Sequence, residues 1–130
     1  MFVRVTIMVM RLCMLIVLIL GIFFWIKRTD VSGSPLVLLH MGLGILIALL
    51  LVILGGFIVT VKEQNIGLAI GAFVLAICMV ALGLRQQSIL AGSSLHWIIQ
   101  IVHLLLGLLA IGMAEMIAGR YKRLRAAATE

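Results

Sequence analysis

Charge is scarce in this sequence. Only 11% of its 130 residues are Asp, Glu, Lys or Arg, and just four are acidic, against 65% apolar residues. With a mean hydropathy of +1.39, such a chain has too little polar surface to stay in water as a soluble domain. Cysteine occurs twice, as Cys13 and Cys78, each inside an apolar run. That excludes a disulfide framework and a thiolate metal cluster and leaves two small apolar thiols for packing. Proline occurs once, as Pro35, just before an apolar run, where its missing N–H costs nothing at a helix start. No hydrolase, kinase or nucleotide-binding motif is present, and no ten-residue polar alternation of the kind that builds a membrane barrel.

What the sequence has instead is long apolar runs, at Thr6 to Ile26, Leu36 to Val61, Ile66 to Leu84 and Leu95 to Ala118. Each approaches or exceeds the roughly 20 residues a helix needs to cross a bilayer. The polar breaks between them are short: Lys27-Arg28-Thr29-Asp30 with Ser32-Gly33-Ser34-Pro35, Lys62-Glu63-Gln64-Asn65, and Arg85-Gln86-Gln87-Ser88 with Gly92-Ser93-Ser94. Short breaks join antiparallel neighbours. The expectation is an all-α polytopic membrane protein, a four-helix transmembrane bundle running up-down-up-down, with residues 1–130 as a single domain in the lipid bilayer. The first run is expected to be a span and not a cleaved leader, because Phe23-Phe24-Trp25-Ile26 runs directly into Lys27 with no A-x-A site.

Basic residues set the orientation. Arg4, Arg11, Lys62, Arg120, Lys122, Arg123 and Arg125 fall on one side, and only Lys27, Arg28 and Arg85 on the other. The positive-inside rule then places both termini in the cytoplasm of a multi-pass protein of the plasma (inner) membrane. The net charge of +6 reads as a topogenic and lipid-headgroup feature, and no nucleic-acid module accompanies it.

Polar residues inside spans are costly and usually face the bundle interior. His40 and His103 head two related segments, His40-Met41-Gly42-Leu43-Gly44-Ile45-Leu46 and His103-Leu104-Leu105-Leu106-Gly107-Leu108-Leu109. Both read H-x-x-x-G followed by two aliphatics. Gly44 and Gly107 lie on the same helix face as their histidines, about one turn on, and each is expected to open a slot beside its imidazole. Small residues continue down both faces, at Ala48 and Gly55 and at Ala110, Ala114 and Ala118. Such stripes serve close helix packing as readily as a ligand. Imidazole is also a common axial ligand of haem iron, and the second and fourth helices of the bundle are diagonal neighbours with room for a flat ring. Lys27, Arg28 and Arg85 would be the cations for its propionates.

The layout resembles the four-helix membrane b-type cytochromes, in particular one half of a heme A synthase. The resemblance implies haem b as cofactor, with His40 and His103 as axial metal ligands. It also implies electron transfer with a quinone or another redox membrane partner, and a half-length unit of this kind would act as a homo-oligomer or a haem-binding subunit. The chain departs from the synthase pattern where that family carries an acidic residue one turn before a key histidine. Val37 precedes His40 and Gln100 precedes His103. An electron-transfer or accessory subunit therefore fits better than a stand-alone enzyme. A histidine ligating a chlorophyll-type magnesium is a third possibility.

His96 lies seven residues before His103 on nearly the same face. Three roles are open to it: replacing His103 as ligand, hydrogen-bonding a propionate, or pairing with Trp97 as an interfacial ring. Glu115 is the other polar residue within a span. It reads either as a proton-relay group in a small transporter or as an interfacial acid paired with Arg120 or Lys122, while Arg11 is expected to snorkel to the interface. A non-redox transporter or structural subunit is the alternative function.

Overall fold

A computed structural model describes residues 2–27, 34–60, 66–86, 88–89 and 93–127. These fold as four helices, α1 (Phe2–Lys27), α2 (Pro35–Val59), α3 (Ile66–Arg85) and α4 (His96–Ala127), and no strand occurs among the described residues. All four are long and apolar enough to cross a membrane.

The ends follow local chemistry. Ser34 caps α2 in an extended conformation, its Oγ accepting from the Val37 amide at 3.3 Å, with Pro35 in the first helical position. At the other end of α2 the Thr60 hydroxyl donates to the Phe57 carbonyl at 2.7 Å. Ser93 receives the amide of Leu95 at 3.1 Å and so opens α4.

Two boundaries differ from the sequence expectation. The first helix begins at Phe2 instead of Thr6, and the fourth continues past Ala118 to Ala127. The extension is built from Tyr121, Lys122, Arg123, Leu124 and Arg125. Apart from Tyr121, these are strong helix formers, and their cations at a helix C-terminus oppose the negative end of its dipole. Tyr121 and Leu124 pack against the core, so the added turns are held by tertiary contact as well as by propensity. The expected end of the second span, Val61, lies outside the described residues, as does Lys62.

Contacts between helices fix the antiparallel order. Gly55, late in α2, meets Ala69 and Ala72, early in α3, and Gly71 of α3 meets Met113 of α4. Phe57 touches Phe2 of α1 and Tyr121 of α4, with ring centres 5.5 and 5.3 Å away. The bundle therefore runs up-down-up-down. Among the described residues α2 also approaches α4 across the diagonal, whereas α1 and α3 do not approach one another. Alanines at 48, 72, 76, 110 and 114 are buried where helices meet, and small residues are what allow such approach in lipid.

The core is a column of Met10, Ile47, Leu51, Leu54, Ile58 and Ile117, each fully buried. Thr6, a buried polar residue, donates its hydroxyl to the Phe2 carbonyl at 3.1 Å within its own helix. Around this column the outward faces carry Met8, Leu12, Ile19, Leu38, Leu49 and Ile70, all exposed. Water would not tolerate so much exposed apolar surface on a monomer. A bilayer does, and the chain is a multi-pass membrane protein.

Candidate functional site between α2 and α4

His40 lies in the second turn of α2 and His103 in the third turn of α4. At 1.5 Å per residue they stand about 8 and about 11 Å from the starts of their helices, at nearly equal depth. Their ring centres are 6.3 Å apart and their planes are inclined at 44°. The Nδ1 atom of each is buried, and neither has a hydrogen-bond partner among the described residues.

The imidazoles are cradled by glycines of the preceding helices. A Cβ on Gly21 of α1 would lie 3.5 Å from His40 Cε1, and one on Gly83 of α3 would lie 3.1 Å from His103 Cε1. The two hairpins are built alike: a glycine near the end of the first helix receives the histidine near the start of the second. Phe24 closes the His40 side with an edge contact at 5.7 Å.

This places the slot differently from the sequence expectation. Gly44 and Gly107 face the same cavity but do not seat the imidazoles. A Cβ on Gly44 would meet nothing within 4 Å, and one on Gly107 would meet the Met14 methyl at 3.1 Å. The reason is geometric: a residue one turn along the same helix points parallel to the imidazole, whereas the facing helix supplies the surface it rests on.

Around the pair is a cavity of about 770 Å³ bounded by all four helices, within the usual range for small-molecule and cofactor sites. Its walls are mostly apolar, with Met14, Val17, Phe24, Ile47, Met79 and Leu104 among them, and its polar groups besides the histidine pair include Trp25, Gln86, His96 and Gln100. His96 is tied to the loop before it, its Nδ1 lying 3.0 Å from the Ile89 carbonyl. A carbonyl can only accept, so Nδ1 carries the proton. His103, not His96, is the histidine whose ring lies against His40.

The expected cations do not gather at the cavity. Arg85 ends α3 as an exposed residue outside the cavity wall, where its neighbour Gln86 takes a place. Lys27 lies 5.9 Å from the Phe23 ring centre, and Arg28 is outside the described residues. Glu115 differs too. It accepts from Arg11 Nε across the α1–α4 interface at 2.6 Å, so Arg11 is held by a partner instead of simply snorkelling.

Among the described residues no group of three or more His, Cys, Asp or Glu could hold a bare metal ion. Two imidazoles suit a metal that brings its other ligands with it. No protein-family model, curated protein or solved structure gives a significant match to the chain.

Proposed function

We propose that this protein binds a b-type haem between α2 and α4, with His40 and His103 as axial ligands, and works as an electron-transfer subunit of the membrane. The spacing of the two rings carries the proposal. Imidazoles on opposite sides of one metal ion, each nitrogen about 2 Å from it, put their ring centres about 6 Å apart, and the two rings here are 6.3 Å apart. Both Nδ1 atoms are buried with no hydrogen-bond partner among the described residues, which costs about 1–3 kcal/mol for each such group, while the His40 ring also has the Val17 carbonyl within reach; polar ring atoms kept in an apolar cavity fit a site that a ligand completes. The open space at Gly44 supports the same reading, since it is a face of the cavity that a side chain would fill.

A bound haem supplies reversible one-electron chemistry. The chain's own residues orient and insulate it. Gly21 and Gly83 leave the room that the Cε1 edges of the two imidazoles occupy, which a side chain at either position would contest. Phe24, Val17, Ile47 and Leu104 give the cavity an apolar wall, and such a wall is one of the features that set a redox potential. Gln86, His96 and Gln100 form a polar part of the wall, suited to the hydroxyls of a membrane quinol. A resemblance to one half of a heme A synthase is consistent with this layout, although Val37 and Gln100 stand where an acidic residue would be needed for synthase chemistry.

On the distribution of Lys and Arg we place the protein in the plasma (inner) membrane with both termini cytoplasmic, so that the histidine pair lies nearer the outer face. The transporter alternative is weakened by the pairing of Glu115 with Arg11.

The test is an absorption spectrum of the purified chain. The expected preparation is red, with a Soret band that sharpens and shifts on dithionite, and either His40→Ala or His103→Ala abolishes it. A chain that stays colourless after reconstitution with haem overturns the proposal. Far-red absorbance instead would assign a magnesium chlorin.

A further inference from the structure

At the opposite end of α1 and α4 from the histidines lies a second cavity of about 570 Å³, an elongated groove between the two helices. On α1 its wall is a stripe at helical spacing, Arg4, Ile7, Met8 and Arg11, and on α4 a matching stripe, Glu115, Ala118, Lys122 and Arg125. Residues three, four and seven apart share a helix face, so each stripe presents charge toward the other helix.

Two cation-bearing stripes facing each other repel unless an anion lies between them, and the repulsion grows where water is sparse. The wall supplies four cationic side chains and one carboxylate. That carboxylate is engaged by Arg11 at 2.6 Å and also senses Lys122, so a single negative charge is shared among the cations of the wall. Arg4 and Lys122 stand toward the outer end, with Arg4 seven residues, or about 10 Å, above Arg11 along α1. Below them the floor is apolar, with Val3, Ile7 and Ala118 all buried. Tyr121 is at the groove as well.

We propose that this groove seats the headgroup of an anionic phospholipid. Its phosphate sits between Arg4 and Lys122, and its glycerol and upper acyl carbons lie over the apolar floor. A soluble anion would use the cations but not the floor, and a neutral lipid the floor but not the cations. The groove lies where α1 begins and where α4 leaves its apolar stretch for the basic turns beyond Gly119. That is the level of a membrane at which phosphates are found, and basic pockets between spans on one face are suited to such headgroups. The site is separate from the histidine cavity and does not depend on haem binding.

Native mass spectrometry of the full chain, released from nanodiscs containing phosphatidylglycerol and phosphatidylcholine in equal amounts, tests this. The wild-type chain is expected to retain phosphatidylglycerol over phosphatidylcholine by about tenfold or more. Arg4→Gln with Lys122→Gln brings that ratio to about one, while Arg85→Gln at the far end leaves it unchanged. Because Lys122 is exposed, Lys122→Glu alone preserves packing and is expected to lower the ratio likewise. The conservative pair Arg4→Lys with Lys122→Arg retains it. Equal retention of both lipids by the wild type overturns the proposal, as does a preference that survives both Arg4→Gln/Lys122→Gln and Lys122→Glu. Displacement of the lipid by millimolar inorganic phosphate alone would assign a free-anion site and overturn it too.

Discussion

Single glycines decide how the histidine pair is held, and their surroundings make opposite demands. Gly83 has His103 Cε1 at 3.1 Å from the place a Cβ would occupy, whereas Gly44 faces open cavity. Gly83→Val must therefore push the His103 ring, or the helix beneath it, aside, at a cost of about 1–3 kcal/mol. It is expected to lower both the unfolding midpoint of the haem-free chain and the Soret absorbance per mole. Gly44→Leu adds a side chain to empty space, so the haem-free chain should unfold as before while haem uptake falls. Measuring both quantities in both variants separates the space a ligand needs from the contact the histidine needs. If Gly44→Leu takes up haem normally, the ring does not lie on that face.

The histidines themselves were legible from sequence, because an imidazole within an apolar run has no bland solvent role. Their cradle was less so. Gly21 precedes His40 by nineteen positions and Gly83 precedes His103 by twenty, a near-repeat that acquires meaning only once the facing helices are known. Nothing local to Gly21 or Gly83 distinguishes them from Gly42, Gly67 or Gly112, beside which a Cβ would meet nothing within 4 Å.

At the level of helices, the α2–α3 crossing is the tightest approach to a glycine among the described residues. A Cβ on Gly55 would lie 3.0 Å from the Ala72 Cβ and 3.4 Å from the Ala69 carbonyl oxygen, while its neighbour Gly56 has nothing within 4 Å. Backbone and a methyl with no rotamer cannot move aside, so Gly55→Val has to separate the helices. The expected loss is about 1–3 kcal/mol. Gly56→Val projects outward and should change stability by less than about 0.5 kcal/mol. Unfolding in mixed micelles with increasing dodecyl sulfate measures both, and equal effects of the two substitutions would show that the crossing is not a point of close packing. The helices were readable in advance because length and hydropathy settle them. How far a helix continues beyond its apolar run is not settled by hydropathy, since the last turns of α4 carry Tyr121 and Leu124, which pack against the core.

Over the whole molecule, α1 and α4 are the first and last helices, and the Arg11–Glu115 pair joins them. Removing one partner leaves the other without its nearest opposite charge, whereas removing both leaves no unmatched charge at the pair. The double variant Arg11→Met/Glu115→Met is thus expected to be more stable than either Arg11→Met or Glu115→Met alone, as read in a double-mutant cycle by the same micelle unfolding. Additive effects would mean that the two charges do not sense one another in the membrane. The pair also lies at one end of the basic groove, so the half of the bundle distant from the histidines carries both the packed apolar core and the charged groove, and the histidine half carries the cavity.

The sequence by itself determined that the chain crosses a membrane in four helices, since apolar content and run length decide the solvent and the lipid decides the secondary structure. It also singled out His40 and His103. Only the tertiary structure decided that these two rings, sixty-three positions apart, lie 6.3 Å from one another, that glycines of the neighbouring helices leave room for them, and that Glu115 pairs with Arg11 across the bundle. The physical reason is that hydropathy is a sum over one helix, indifferent to rotation about its axis. Which side chains meet is set by the rotation and register of each helix against its neighbours, and these come from the packing of small residues such as Gly55 and Ala72 across the bundle.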